Sequence, residues 1–67
     1  SKALQLYLAY LGRCKILSRK EEREVAQRLA KSKGRDYEAR QMLIESNLKL
    51  VVKKALRFVR SHQYLQN

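Results

Sequence analysis

Proline is absent from the 67 residues, and glycine occurs only at Gly12 and Gly34. A chain so poor in turn formers is not built from many short strands joined by tight turns, and long uninterrupted helices are expected instead. Tryptophan is missing too, while phenylalanine, methionine, histidine and cysteine occur once each. One cysteine, Cys14, makes no internal disulfide and cannot hold a structural zinc ion by itself. A reducing, cytoplasmic setting is the natural reading, with Cys14 as a small apolar filler. The lone His62 and six carboxylates form no acid–base or metal-ligand cluster along the chain. Neither an enzyme nor a bound cofactor is therefore expected. No apolar run reaches the roughly 18 residues that mark a membrane span, and no signal-peptide pattern opens the chain. A membrane is not an expected partner.

Positive charge and apolar residues are what remain. Sixteen Lys and Arg against six Asp and Glu give a net charge of +10, and hydrophobic residues make up 45%. That apolar share is enough to collapse the chain, so it does not read as a disordered basic tail. It allows a single domain, which at this size hides only about 60% of the surface of its unfolded form. The charge is segregated. Residues 1–20 carry Lys2, Arg13, Lys15, Arg19 and Lys20 with no acid. Residues 46–67 carry Lys49, Lys53, Lys54, Arg57 and Arg60, again with no acid, and the two signs cancel between them. Charge gathered in this way attracts polyanions, nucleic acid first among them. A solubilising surface is the commoner role of charge runs taken alone.

The apolar spacing predicts an all-α fold: two short helices followed by one long C-terminal helix. Leu4, Tyr7, Leu8 and Leu11 follow the spacing of one helical face, with Leu6 and Tyr10 on another. Gly12 is the expected stop, in the left-handed conformation that closes helices, and Ile16 and Leu17 anchor the connector after it. Ser18 and Glu21 have the spacing of a capping box, which starts a second helix. Val25, Ala26 and Leu29 form its apolar stripe, and it should fray by Lys33 and end at Gly34. Asp36 is placed to cap a third helix from Tyr37 to about Ser61. Ile44, Leu48, Val51, Val52, Ala55, Phe58 and Val59 fill one arc of that helix. Lys49, Lys53, Arg57 and Arg60 lie opposite, and Leu43 with Leu50 form a seam that the second helix could cover. Two short helices cannot cover so wide an apolar arc, so the chain reads as a fragment or as a module that docks on something else. Phe58, His62, Tyr64 and Leu65 near the end suggest the same.

The run Ile44-Glu45-Ser46-Asn47-Leu48-Lys49-Leu50-Val51-Val52 resembles the segment that opens the promoter-binding helical domain of bacterial sigma-70 family factors. Upstream, Tyr7-Leu8, Gly12, Leu17-Ser18 and Glu21-Glu22 fall in the order of the family's region 1.2. On this resemblance residues 1–67 form a single helical fragment. Residues 1–33 are similar to region 1.2 and residues 36–67 to the start of region 2, with 38–60 matching region 2.1. The short link between Leu29 and Tyr37 lacks the insertion of many primary factors and resembles alternative, stationary-phase-like members. The chain departs from the family at Lys2-Ala3, where an Asp-Pro pair is usual, and at Gln5, where Arg is. It departs again at Lys15 or Ile16, where a proline is common, and beyond Phe58, where Val59 to Gln63 replace a glycine-bearing turn. These differences mark a divergent factor.

The resemblance implies a non-enzymatic part of a sigma factor that acts in transcription initiation with core RNA polymerase. It would contact single-stranded non-template promoter DNA just downstream of the −10 element. Tyr7, Leu8, Gly12, Arg13 and Lys15 would lie against unstacked bases, aromatic groups stacking and basic groups tracking phosphates. Core packing is the competing role for Tyr7 and the favoured one for Tyr10, and solvated loop charge competes for Arg13 and Lys15. Lys49, Lys53, Arg57 and Arg60 could touch a phosphate backbone, although a solvated face is the commoner role of such a stripe. Asn47 is expected to hydrogen-bond a neighbouring helix. The alternative reading is a protein–protein module that docks, or self-associates, through the apolar face of the last helix.

Overall fold

A computed structural model describes the backbone of residues 1–66 and the side chains of residues 1–62, so the expectation built on Tyr64 and Leu65 lies outside the described residues. Three helices follow one another: α1 (Lys2–Arg13), α2 (Arg19–Lys31) and α3 (Tyr37–Gln66). No strand interrupts them among the described residues, so the predicted all-α arrangement of two short helices and one long one is the observed fold. α3 is five residues longer than the spacing suggested.

Local chemistry explains most of the boundaries. The Ser18 hydroxyl accepts from the Glu21 backbone N–H at 3.1 Å, and the Ser18 N–H donates to Glu21 Oε1 at 3.0 Å. This is the reciprocal capping box, in which the loss of one partner typically costs about 1 kcal/mol. α3 starts in a similar way: Asp36 Oδ1 accepts from the Ala39 N–H at 3.0 Å. Between the two helices Lys33 (φ +56°) and Gly34 (φ +82°) take the left-handed conformation in succession. The N–H groups of Lys33 and Gly34 then donate to the last carbonyls of α2, Ala30 and Leu29, both at 2.9 Å. The Ser32 hydroxyl donates to the Leu29 carbonyl and accepts from the Asp36 N–H, each at 2.8 Å. The link of residues 32–36 is thus a hydrogen-bonded corner rather than a loose loop.

Gly12 behaves differently from expectation. It is helical, and α1 runs on to Arg13, with extended Cys14 as the cap and its N–H on the Leu11 carbonyl at 3.0 Å. The helix ends because the chain is drawn away towards α3, not because glycine turns it.

α1 and α2 each pack on α3 and not on one another. The molecule is therefore open, 51 × 27 × 16 Å, with a radius of gyration of 15.2 Å, against about 11 Å for a compact domain of this length. Among the described residues few are fully buried: Leu11 from α1, Val25 from α2, and Ala39 and Ser46 from α3. Ala39 has no exposed surface at all, and its small side chain lets α2 approach closely.

The inward face of α3 is not the predicted apolar arc. Ala39, Met42, Leu43, Ser46, Lys49 and Val52 are buried or half-buried, whereas Ile44, Leu48, Val51, Phe58 and Val59 are exposed. The seam expected to meet α2 is only partly used, since Leu43 is half-buried and Leu50 exposed. The physical reason lies in the connector, whose backbone polar groups need partners. Ser46 and Lys49 supply them, and both sit on the less apolar side of α3.

Candidate nucleic-acid interface

Residues 14–18 join α1 to α2 and carry half of the candidate site. Their course is set from α3. The Lys49 ammonium donates to the carbonyls of Gly12 at 2.8 Å and Cys14 at 2.6 Å. It satisfies the otherwise orphaned carbonyls at the end of α1 with a cation, which the helix dipole also favours there. Ser46, itself buried, accepts from the Leu17 N–H through its hydroxyl at 2.9 Å. Glu45 takes the Tyr10 hydroxyl on one carboxylate oxygen, and its other oxygen lies 3.4 Å from the Cys14 thiol. That thiol is also 3.4 Å from the Tyr10 carbonyl. Three residues of α3, within two turns, thus hold the end of α1 and the start of the connector.

The predicted site residues divide around this anchor. Tyr7 is exposed on α1, its ring stacked on that of Tyr10 at 6.5 Å between centroids and 26° between planes. Leu8 is half-buried. With Leu11, Gly12, Lys49, Val52, Lys53 and Leu56 it lines an apolar groove of about 200 Å³ between α1 and α3. Gly12 and Arg13 are exposed at the end of α1. A side chain added at Gly12 would meet nothing within 4 Å, so close packing does not require a glycine at that position. Lys15 is exposed but ion-paired with Glu21, which ties the connector to the capping box. Lys53, Arg57 and Arg60 are exposed along α3, and no carboxylate pairs with them or with Arg13 among the described residues. Lys49 is engaged on the carbonyls described above.

Several details differ from the sequence reading. Asn47 does not reach a neighbouring helix; its amide donates to the Leu43 carbonyl of its own helix at 3.0 Å. The bond across helices comes from Ser46, one residue earlier. Cys14 is not simply an apolar filler, given its two polar neighbours. Tyr10 is only partly covered and spends its hydroxyl on Glu45. Sequence reasoning missed Glu45 and Ser46 as anchors. Their nearness to Tyr10, Cys14 and Leu17 depends on how the chain folds back, and no spacing along the chain reports it.

The electrostatics follow from these contacts. The Lys15 ammonium, then the Ser18 N–H, hold the Glu21 carboxyl down at about 2, below its ordinary 4.5. The Ala39 N–H, followed by the Arg28 guanidinium, lowers Asp36 as well. Arg28 reaches Asp36 with two nitrogens, at 3.3 and 3.1 Å. Donation to Glu45 and some burial push the Tyr10 hydroxyl up to about 12. Burial, then Glu45, raises the Cys14 thiol. A carboxyl held low in the folded state contributes stability above its unfolded pKa and loses it as pH falls through the folded one. Helicity followed by circular dichroism should therefore decline as pH drops from 4.5 towards 2. Glu21→Gln, which has no carboxylate to protonate, should flatten that decline. An unchanged acid profile in this variant would show that Glu21 does not support the fold.

Among the described residues no helix is long and apolar enough to cross a membrane. No family model matches the chain, and no solved structure does either. Curated proteins do match, two sigma factors among them. The RNA polymerase sigma factor RpoS of Coxiella burnetii is 44% identical over 59 residues, which are 88% of this chain and 16% of that protein. The RNA polymerase sigma factor SigA of Clostridium acetobutylicum is 43% identical over 56 residues, 84% of this chain and 14% of that protein. The chain thus spans only about a sixth of the length of these relatives.

Proposed function

We propose that this chain, which belongs to the sigma-70 family of RNA polymerase sigma factors as a segment of one, serves transcription initiation by holding single-stranded non-template promoter DNA just downstream of the −10 element. It does so in the cytoplasm, bound with core RNA polymerase, and the polymerase supplies all catalysis. The observation that carries this reading is the ledge on α1. Tyr7 lies open to solvent over Tyr10, Arg13 stands six residues on, at the end of α1, without a carboxylate partner among the described residues, and the connector that follows is fixed to α3. An exposed aromatic ring and an unpaired cation on one short helix supply the chemistry that binds single strands: stacking on a base, with the cation on a phosphate. Leu8 and Gly12 line the neighbouring groove between α1 and α3, and Lys15 adds charge in the connector. Lys53, Arg57 and Arg60 extend the positive field along α3. The tight corner at residues 32–36 supports the finer placement with alternative, stationary-phase-like factors.

A second reading has its own observation. The exposed Ile44, Leu48, Val51, Phe58 and Val59 give α3 an apolar face that could dock a protein partner or a second copy of the chain. The two readings separate in one experiment, the binding of labelled non-template, template and duplex oligonucleotides followed by fluorescence anisotropy. Loss of one stacked base typically costs 1–3 kcal/mol, so Tyr7→Ala should weaken non-template binding about fivefold or more and leave duplex binding nearly unchanged. Equal weakening on every DNA, or none, would remove the ledge from the account. A defined oligomer without DNA binding would favour the docking face.

A further inference from the structure

We propose that Glu45, Ser46 and Lys49 are positioning residues for the DNA-facing surface, setting the aim of α1 and its connector without themselves touching DNA. The inference rests on the single-strand reading above and deepens it. Bonds from three side chains of α3 support it. Lys49 Nζ lies 2.8 Å from the Gly12 carbonyl and 2.6 Å from that of Cys14. Ser46 Oγ accepts from the Leu17 N–H at 2.9 Å. Glu45 joins the Tyr10 hydroxyl to the Cys14 thiol. Together they pin the chain at residues 10, 12, 14 and 17, on both sides of Arg13 and one turn beyond Tyr7.

These bonds matter because little else holds α1. Of its residues only Leu11 is fully buried, with Leu8 half-buried, and α2 gives it no support. A helix with so small an apolar footprint can pivot, and Tyr7 and Arg13 would pivot with it. Polar bonds are directional where apolar contact is not, so they fix the angle that Leu8 and Leu11 leave free. Lys49 looks in sequence like one of four cations in a phosphate-facing stripe. In the fold its ammonium already has two carbonyl partners, and swinging out to a phosphate would break both.

The test compares Ser46→Ala, Lys49→Met and Lys49→Arg in the full 67-residue chain. For each, the ratio of non-template to template single-strand affinity and the salt slope of binding are measured, with hydrogen exchange at the Leu17 amide as a readout independent of DNA. Losing the charge-assisted Lys49 bonds should lower the strand ratio roughly tenfold, and losing the neutral Ser46 bond roughly fivefold. Ser46→Ala and Lys49→Met should each show its loss, with the salt slope unchanged and faster Leu17 exchange. Lys49→Arg, which can still donate to both carbonyls, should recover much of the ratio. A direct phosphate contact behaves otherwise: Lys49→Met would weaken all DNA alike and reduce the slope by about one, and that result would overturn the proposal. Retained strand preference in both variants would overturn it too, while leaving the single-strand reading intact. If the unmodified chain shows no strand preference, both readings fall together; faster Leu17 exchange in the variants would then leave the three residues a purely structural role.

Discussion

Leu11→Ala should destabilise the chain by about 3 kcal/mol, within the range for fully buried leucines, and should release α1 from α3. Leu11 is 2% exposed and is the one α1 residue that is fully buried. It lines the groove with Leu8, Val52 and Leu56, so removing it leaves half-buried Leu8 as the main apolar contact of α1. For a chain of this size the whole folding free energy is only about 3–10 kcal/mol. Urea unfolding followed by circular dichroism checks the loss, and Leu50→Ala on the exposed side of α3 is the control that should change stability far less. A cost for Leu11→Ala below about 1 kcal/mol would mean that the polar anchors alone hold α1.

That contrast also explains what could and could not be read from the residues. The helices, the capping box at Ser18 and Glu21 and the Asp36 cap are local: each depends on side chains three or four positions apart, and each was legible. The inward face of α3 is not local. Apolar periodicity locates Ile44, Leu48, Val51, Phe58 and Val59 on one arc but does not say what covers it. The choice went to the face of Ala39, Ser46 and Lys49, where a small residue admits α2 and two polar groups satisfy the connector. Gly12 misled for a related reason, since a glycine near a helix end suggests a left-handed stop. The pair that takes that conformation is Lys33 and Gly34, at the other corner. The candidate site was legible as residue types, in Tyr7, Leu8, Gly12, Arg13 and Lys15. The anchors Glu45 and Ser46 were not, because they meet the connector only after the chain folds back on itself.

Binding to single-stranded DNA should fall about 50-fold between 50 and 200 mM salt. The figure follows from four phosphate contacts, by Arg13, Lys53, Arg57 and Arg60, at a slope of about −0.7 per contact. Lys15 and Lys49 are left out of the count because Glu21 and two carbonyls occupy them. Removing Arg57 and Arg60 together, as Arg57→Gln with Arg60→Gln, leaves two contacts and should reduce the fall to about sevenfold. Anisotropy titrations at four or five salt concentrations measure both slopes. A flat salt profile would mean apolar docking rather than phosphate contact. A slope unchanged in the double variant would move the contacts to other cations, such as Arg19 and Lys20.

The central claim is that α1 presents a surface for one particular strand. It is tested most directly by the affinity of the unmodified chain for the non-template single strand against its complement, at one salt concentration, with Tyr7→Ala beside it. The account predicts a clear preference for the non-template strand that Tyr7→Ala abolishes. Equal affinity for the two strands, unaffected by Tyr7, would contradict it and leave only a basic surface on an open helical fold.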